Sequence, residues 1–238
     1  MKVVIVAAGM GSRLWHNTNN NIPKTLLPFG NNTILSEIMN NFSKLGMQDF
    51  VIVIGYQADK LKQYLADNND FGYNISLVEN PDWKKGNGIS VLVAEKETGP
   101  ENFILSMSDH LVSISALQRI VHEKSSKNLL LVDPNIAGIF DIDDATKVEL
   151  NGNKIVNIGK TIRNYSGIDC GIFRLKQNFY ISMREQLKQN KDSISAAING
   201  LITNDDMEAV FTHRDDSWID IDTPAAYNYA QNIFKNNK

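Results

Sequence analysis

Short apolar runs recur along the first half of the chain, and helical spacing follows each of them. Val3–Ala8 is apolar at every position, the pattern of a strand buried on both faces. Thr33–Leu45 spaces its apolar residues as an amphipathic helix, with Thr33 at the N-cap and Gly46 just past the end. Phe50–Ile54 is a second strand ending at Gly55, and Ala58–Leu65 continues as a helix. Asn74–Glu79 is a third strand that runs into Asn80-Pro81-Asp82. Ile89–Glu97 has helical spacing, and Phe103–Met107 is a fourth strand ending at Ser108-Asp109. Strands that alternate with helices predict a parallel or mostly parallel sheet covered on both faces.

The pattern changes after residue 128. Leu129–Val132, Ala137–Phe140, Lys147–Leu150 and Lys154–Ile158 read as closely spaced strands, the last two joined as a hairpin through Asn151-Gly152-Asn153. Ile168–Arg174 is a further strand, followed by helices over Gln177–Leu187 and Ser193–Leu201. Val210–Thr212 and Trp218–Ile221 are short strands. A closing helix spans Thr223–Phe234, with Thr223 as N-cap and Pro224 at the first helical position. No repeat or low-complexity linker divides the chain. The expectation is one α/β domain over residues 1–238, in which a β-rich second half (129–238) is built onto the sheet of the first (1–128).

Composition narrows the partners. The net charge of −3 lacks the basic face that nucleic-acid binding requires. The single cysteine, Cys170, allows no internal disulfide and fits a reducing, cytoplasmic compartment. Neither a signal peptide nor a membrane-spanning run is read in the sequence. The Asn-rich composition, with Lys well ahead of Arg, argues against a hyperthermophilic source.

Candidate chemistry gathers where strands end, because open α/β sheets bind ligands at the carboxyl ends of their strands. The first strand empties into Ala8-Gly9-Met10-Gly11-Ser12-Arg13, where glycines expose backbone N–H groups to an anion. Arg13 and Lys24 bring two positive charges to the same end, which suits a triphosphate. A dinucleotide fingerprint needs a third glycine where the chain has Leu14, and a P-loop needs a Gly-Lys-Ser/Thr ending that is absent. Asp109, at a strand's end, suits a magnesium ion beside phosphates, or the N-cap of a following helix. Alternation places Asp220 and Asp222 on one face of a short strand. In the Glu79–Ser90 block, Gly86 and Gly88 leave room for a flat base against backbone around Asn87, and Ser90 caps or donates.

The strand with Ala-Ala-Gly, then Gly-Ser-Arg, then Pro23-Lys24 resembles the nucleoside-triphosphate transferases that make nucleotide-activated sugars and small alcohols. The likeness extends over the whole chain and implies a Rossmann-like mixed sheet with an acceptor-binding second half. It implies that Ala8, Gly9, Gly11, Ser12, Arg13, Glu79, Asn80, Gly86, Asn87, Gly88 and Ser90 hold the nucleotide, with Arg13 and Lys24 on the triphosphate. Asp109 and Asp220 then become magnesium ligands, and Asp222, which stands where many relatives have Gly, either joins them or caps the last helix. Ser108 replaces the Gly usual before the acid. The forms Asp143-Asp144-Ala145-Thr146-Lys147-Val148 and Trp-x-Asp-x-Asp-Thr-Pro look most like inositol-1-phosphate cytidylyltransferases and the phosphocholine and aminoethylphosphonate branch, which implies CTP. By the same likeness Lys160 contacts the acceptor phosphate; His110, Lys147, Asp169 and Asp222 are further acceptor-site candidates, against the alternatives of solvated lysines and structural carboxylates. Asp141 and Asp144 are further candidates for acceptor hydroxyls or an ammonium group, and Tyr165 with Asp169 for a cationic acceptor. His110 is not needed as a base, because the acceptor phosphate is already anionic.

Overall fold

The computed structural model describes residues 1–11 and 22–235. In chain order the first half contains β1 (Val3–Ala7), β2 (Pro28–Phe29), β3 (Asn32–Thr33), α1 (Ile34–Ser43), β4 (Asp49–Ile54), α2 (Ala58–Asp67), β5 (Asn74–Glu79), α3 (Asn87–Val93), α4 (Glu95–Thr98) and β6 (Phe103–Met107). Next come β7 (His110–Val112), α5 (Ile114–His122), β8 (Asn128–Asp133), β9 (Lys147–Asn151), β10 (Lys154–Gly159) and β11 (Gly167–Leu175). The chain closes with α6 (Asn178–Leu187), α7 (Ile194–Thr203), β12 (Met207–Phe211), β13 (Trp218–Asp220) and α8 (Pro224–Lys235).

Nine strands form one sheet in the order β5-β4-β1-β6-β11-β8-β12-β10-β9. β5, β4, β1 and β6 run parallel, and β11 lies antiparallel to both β6 and β8. Within the same sheet β12 is parallel to β8, while β10 is antiparallel to β12 and β9. β1 shows why an unbroken apolar run was required: Val3, Ile5 and Ala7 enter one core with α1, α2, α5 and α8, while Val4, Val6 and Ala8 enter the other with α3, α6 and α7. The N-terminus of α1 is fixed by its sequence: Ser36 N–H donates to Thr33 Oγ1 at 3.2 Å, and Thr33 N–H donates to Ser36 Oγ at 2.9 Å. Thr223 does the same for α8, accepting from Ala226 N–H at 3.2 Å. The β9–β10 hairpin turns at Gly152, whose φ of 63° explains the glycine. Among the described residues no helix is long and apolar enough to cross a membrane.

Four differences from the sequence reading have physical causes. Ala137–Phe140 is not a strand: β8 stops at Asp133, Pro134 has no N–H for a ladder, Asn135 N–H turns back to Asp133 Oδ1 at 2.8 Å, and a 3-10 turn over Ile136–Gly138 follows. Between Asp109 and Leu129 the sequence offers only a helix that Asp109 would cap, yet β7 follows Asp109 and α5 begins beyond it, at Ile114. β7 is only three residues long and pairs solely with β13 in a separate two-stranded ladder, a partner more than 100 residues away. The helix expected to begin at Ile89 begins at Asn87, which draws Gly88 into its first turn. The strand expected over Val210–Thr212 begins three residues earlier, at Met207, and runs beside β8.

Candidate active site

The chain passes from β1 to β4 and β5 on one side, then crosses to β6 on the other side of β1. That reversal opens a crevice beyond the carboxyl ends of β1 and β6. Gly9 and Gly11 lie beyond β1, and Ser108 and Asp109 beyond β6. Lys24 enters from a 3-10 turn (Lys24–Leu26) that begins after Pro23. Gly11, with φ of 64°, lets it pass: a Cβ there would lie 2.7 Å from Lys24 Cβ.

Lys24 is 6 % exposed, so its ammonium needs compensating charge. Its Nζ lies 2.8 Å from Asp109 Oδ2 and also bonds Asp222 Oδ1. Burial acts against the ammonium, but Asp109, Asp222 and Asp220 outweigh it and hold Lys24 above the ordinary lysine range. Asp109 is held well below the carboxylate range: Lys24 and His110 overcome the burial that would raise it. Asp109 Oδ1 meets His110 Nδ1 at 2.8 Å, so one carboxylate bridges two cations. Burial lowers His110, yet Asp220, Asp109 and Asp169 raise it to about 9.

The β7–β13 ladder assembles this centre. It pairs Asp220 directly with His110, and the His110 ring stacks on Trp218 at 6.0 Å between centroids and 6° between planes. Trp218 Nε1 is anchored on Asp133 Oδ2 at 2.8 Å. Gly171 sits in an irregularity of β11 with φ of 74°, and a Cβ there would come within 2.5 Å of the His110 ring. Its N–H donates to Asp169 Oδ1 at 2.7 Å. Burial pushes Asp169 up to about 6, despite that bond and His110. Burial also pushes Asp220 up to about 7; Asp109 and Asp222 add to the shift, and His110 and Lys24 oppose it.

The donors suit a hard divalent cation. Ligand atoms of Asp109, His110 and Asp220 lie within 4.8 Å of one another, as do those of Asp144, Asp220 and Asp222. Asp220 Oδ1 is buried and has no hydrogen-bond partner among the described residues. A buried carboxylate oxygen left unpartnered beside two other carboxylates fits an oxygen-seeking ion such as magnesium.

Two cavities meet at this centre. The first, of about 300 Å³, is lined by Gly9, Gly11, Lys24, Trp83, Lys85 and Ser90. The second, of about 210 Å³, is lined by His110, Phe140, Asp141, Lys160, Asp169 and Trp218. Asn87, Met107, Asp109 and Asp222 line both. A ligand in each would therefore meet across Asp109 and Asp222.

The remaining sequence candidates divide. Ser12 and Arg13 lie outside the described residues. Ala8 is buried under Tyr56, whose N–H donates to the Ala8 carbonyl at 2.9 Å, and it lines neither cavity. Glu79 points away, paired with Lys62 at 3.0 Å. Asn80 is buried and shapes the loop, donating to Ser90 Oγ at 2.9 Å and accepting from Asp82 N–H at 2.9 Å; Ser90 lies inside α3 and caps nothing. Gly86 and Gly88 line neither cavity; a Cβ on Gly86 would meet Asp192, and one on Gly88 would meet Met183 and the Asp192 carbonyl. Lys147 is buried, donates to the Asp143 carbonyl at 2.9 Å, and lies outside both cavities. Lys160 reaches the second cavity and pairs with Asp144 at 2.9 Å. Asp109 caps no helix, because β7 follows it, and the cap of α8 falls to Thr223, which leaves Asp222 to Lys24. Tyr165 lies outside the second cavity, whose aromatic wall includes Phe140, Phe173 and Trp218. Trp83, Phe140 and Trp218 were not singled out from sequence as site residues. Only the neighbouring Asn-Pro-Asp and Trp-x-Asp motifs drew attention to their segments.

The family model of the MobA-like NTP transferase domain matches residues 3–136, from β1 through β8 and into the turn beyond. The chain belongs to this family. Among curated relatives of this NTP transferase, a bifunctional IPC transferase and DIPP synthase of Archaeoglobus fulgidus is 28 % identical over 94 % of the chain and 41 % of its own length. One from Aquifex aeolicus is 29 % identical over 93 % of the chain and 49 % of its own length. The chain thus spans about half the length of the curated relatives it matches. The solved inositol-1-phosphate CTP transferase from T. maritima superposes with a TM-score of 0.86 at 27 % identity, over 98 % of this chain and 95 % of that one.

Proposed function

We propose that this chain transfers the cytidylyl group of CTP to inositol 1-phosphate, or to a closely related small phosphorylated alcohol, and releases pyrophosphate. The observation that carries the reading is the junction of two cavities at Asp109 and Asp222, with Lys24 resting on both carboxylates. The named relatives and the T. maritima transferase support CTP and inositol 1-phosphate as the pair that meets there.

The first cavity takes the nucleotide, its triphosphate following Gly9 and Gly11 toward Lys24. The acceptor occupies the second, its phosphate toward Lys160 and His110 and its hydroxyls toward Asp141, Asp144 and Asp169. An acceptor phosphate oxygen bonds to the α-phosphorus. The bond from that phosphorus to the oxygen bridging it to the β-phosphorus breaks, and its electron pair leaves with pyrophosphate. The nucleophile is already anionic, so no side chain need take a proton; His110 rests on Asp109 at 2.8 Å and faces the second cavity. Asp109 and Asp220, with Asp222 beside them, are the residues that would hold Mg2+, which when bound neutralises phosphate oxygens and improves pyrophosphate as a leaving group. Lys24 and Arg13 contribute fixed positive charge, and catalysis rests on positioning and electrostatics. Lys147 supports the 143–146 loop that lines the second cavity.

One observation favours a second reading of the acceptor. Asp141, Asp144 and Asp169 line a cavity that also presents Phe140 and Trp218, a surface that suits a phosphorylated ammonium compound such as phosphocholine. Pyrophosphate release with magnesium, measured across the four ribonucleoside triphosphates against inositol 1-phosphate, phosphocholine, aminoethylphosphonate and hexose 1-phosphates, tests both. CTP with inositol 1-phosphate is the expected pair. Release with CTP and phosphocholine alone replaces the acceptor, release only with another nucleotide and a sugar phosphate overturns the reading, and binding without turnover makes the chain a nucleotide-sensing protein.

A further inference from the structure

The loop over residues 83–88 carries Trp83, Lys85 and Asn87 into the first cavity. Its back rests on the connection between α6 and α7, residues 188–193, in the other half of the chain. Three hydrogen bonds cross between them. Gly86 N–H donates to Asp192 Oδ2 at 2.8 Å, and Gly88 N–H donates to the Asp192 carbonyl at 2.9 Å. In return, Ile194 N–H donates to Asn87 Oδ1 at 2.9 Å. The two glycines permit the approach: a Cβ on Gly86 would overlap the Asp192 carboxylate, and one on Gly88 would lie 2.7 Å from the Asp192 carbonyl oxygen. Asp192 lines neither cavity. What it holds does: Asn87 lies in the wall common to both cavities, and Ile194 and Ser195, the first residues of α7, line the second.

We propose that Asp192 is a positioning residue that clasps the 86–88 segment against the start of α7, fixing the first cavity's wall and the Asn87–Ser195 wall of the second as one unit. The proposal rests on the first cavity holding the nucleotide. A carboxylate that accepts a backbone N–H makes a charge-assisted bond, stronger than the neutral bonds typical of loops. Gly86 is thus bare to admit Asp192, and Gly88 to admit Met183 and the Asp192 carbonyl. The segments lie more than 100 residues apart, and a nucleotide that presses on Asn87 acts on the acceptor wall through one side-chain bond.

The test compares wild type, Asp192→Ala and Asp192→Asn in steady-state turnover of CTP with inositol 1-phosphate, in thermal unfolding, and in hydrogen exchange at the Gly86 and Gly88 amides. Asp192→Ala is expected to raise the KM for CTP about tenfold while kcat changes less than about threefold. It is also expected to speed exchange at Gly86 by about tenfold or more. Asp192→Asn keeps a side-chain oxygen acceptor and is expected to recover most of both effects. A KM within twofold of wild type in Asp192→Ala, whatever happens to its melting temperature, overturns the proposal and leaves a structural contact only. If Asp192→Ala does not fold, Asp192→Ser takes its place under the same criteria. If wild type shows no turnover with CTP, the functional reading fails first. The proposal is then judged on exchange at the two amides and on the Kd of whichever triphosphate protects them, and an unchanged Kd in the variant overturns it.

Discussion

Lys24 is the side chain on which most of the site's charge balance depends, and Lys24→Met removes its ammonium while keeping its stem. The ammonium sits on Asp109 and Asp222, and Asp220 also faces it. Asp220 has ligand oxygens within 4.8 Å of those of Asp109 in one group and of Asp222 in another. Two unit charges 4.8 Å apart repel by about 3.5 kcal/mol at an effective dielectric of about 20. Proton uptake by Asp220 relieves part of this, and removing one partner of a buried ion pair costs about 3–5 kcal/mol overall. For a chain of this size that lowers the melting temperature by about 6–20 °C. Calorimetry with and without magnesium provides the assay. The ion compensates the same carboxylates, so magnesium is expected to raise the melting temperature of Lys24→Met more than that of wild type. Turnover in the same variant is expected to fall about 10²- to 10⁴-fold with magnesium saturating, because the triphosphate loses a buried cation. A variant within 1 °C of wild type, equal magnesium responses, or near-normal turnover would refute the reasoning.

The remaining predictions concern the frame around the site. Gly88→Ala places a Cβ 2.5 Å from Met183 Sδ and 2.7 Å from the Asp192 carbonyl, so urea unfolding should show a loss of about 1–3 kcal/mol, and an unchanged midpoint would mean that α3 can move freely away from α6 and the connection that follows it. The Arg174 guanidinium donates to the carbonyls of Ile120, Val121, Glu123 and Ser125 around the end of α5, so Arg174→Met should cost about 1.5–3 kcal/mol in the same assay, with a near-zero effect counting against the cap. Cys170 is fully buried, and burial pushes its thiol well up, so it should resist alkylation at pH 8 until the chain unfolds; rapid labelling of the native protein would contradict that packing.

Parts of the molecule that depend on neighbours in sequence were legible in advance. β1 declares itself because both its faces are buried, α1 because Thr33 and Ser36 form a local cap, and the β9–β10 hairpin because Gly152 supplies the turn. Lys24, Asp109, Asp220 and Asp222 were named from strand ends and motif likeness, and they do converge. What stayed hidden was set by distant partners. The pairing of His110 with Asp220 needs a ladder between elements about 110 residues apart, and its Trp218 stack needs Gly171 from a third strand. The apolar stretch at Ala137–Phe140 imitates a strand but meets no ladder, and Phe140 instead stacks on Tyr229 of α8 beside the second cavity. That Gly86 packs on Asp192, and Gly88 on Met183 and the Asp192 carbonyl, is invisible from their own segment.

The proposed nucleotidyl transfer between the two cavities is read from the fate of the phosphates. CTP labelled at the α-phosphorus, and separately at the γ-phosphorus, is incubated with magnesium, inositol 1-phosphate and the protein, and the products are separated. Nucleotidyl transfer puts the α-label in a CDP-linked product that also contains the acceptor, and the γ-label in pyrophosphate alone. Label released as orthophosphate from the γ position, or α-label that never joins an acceptor, would contradict it.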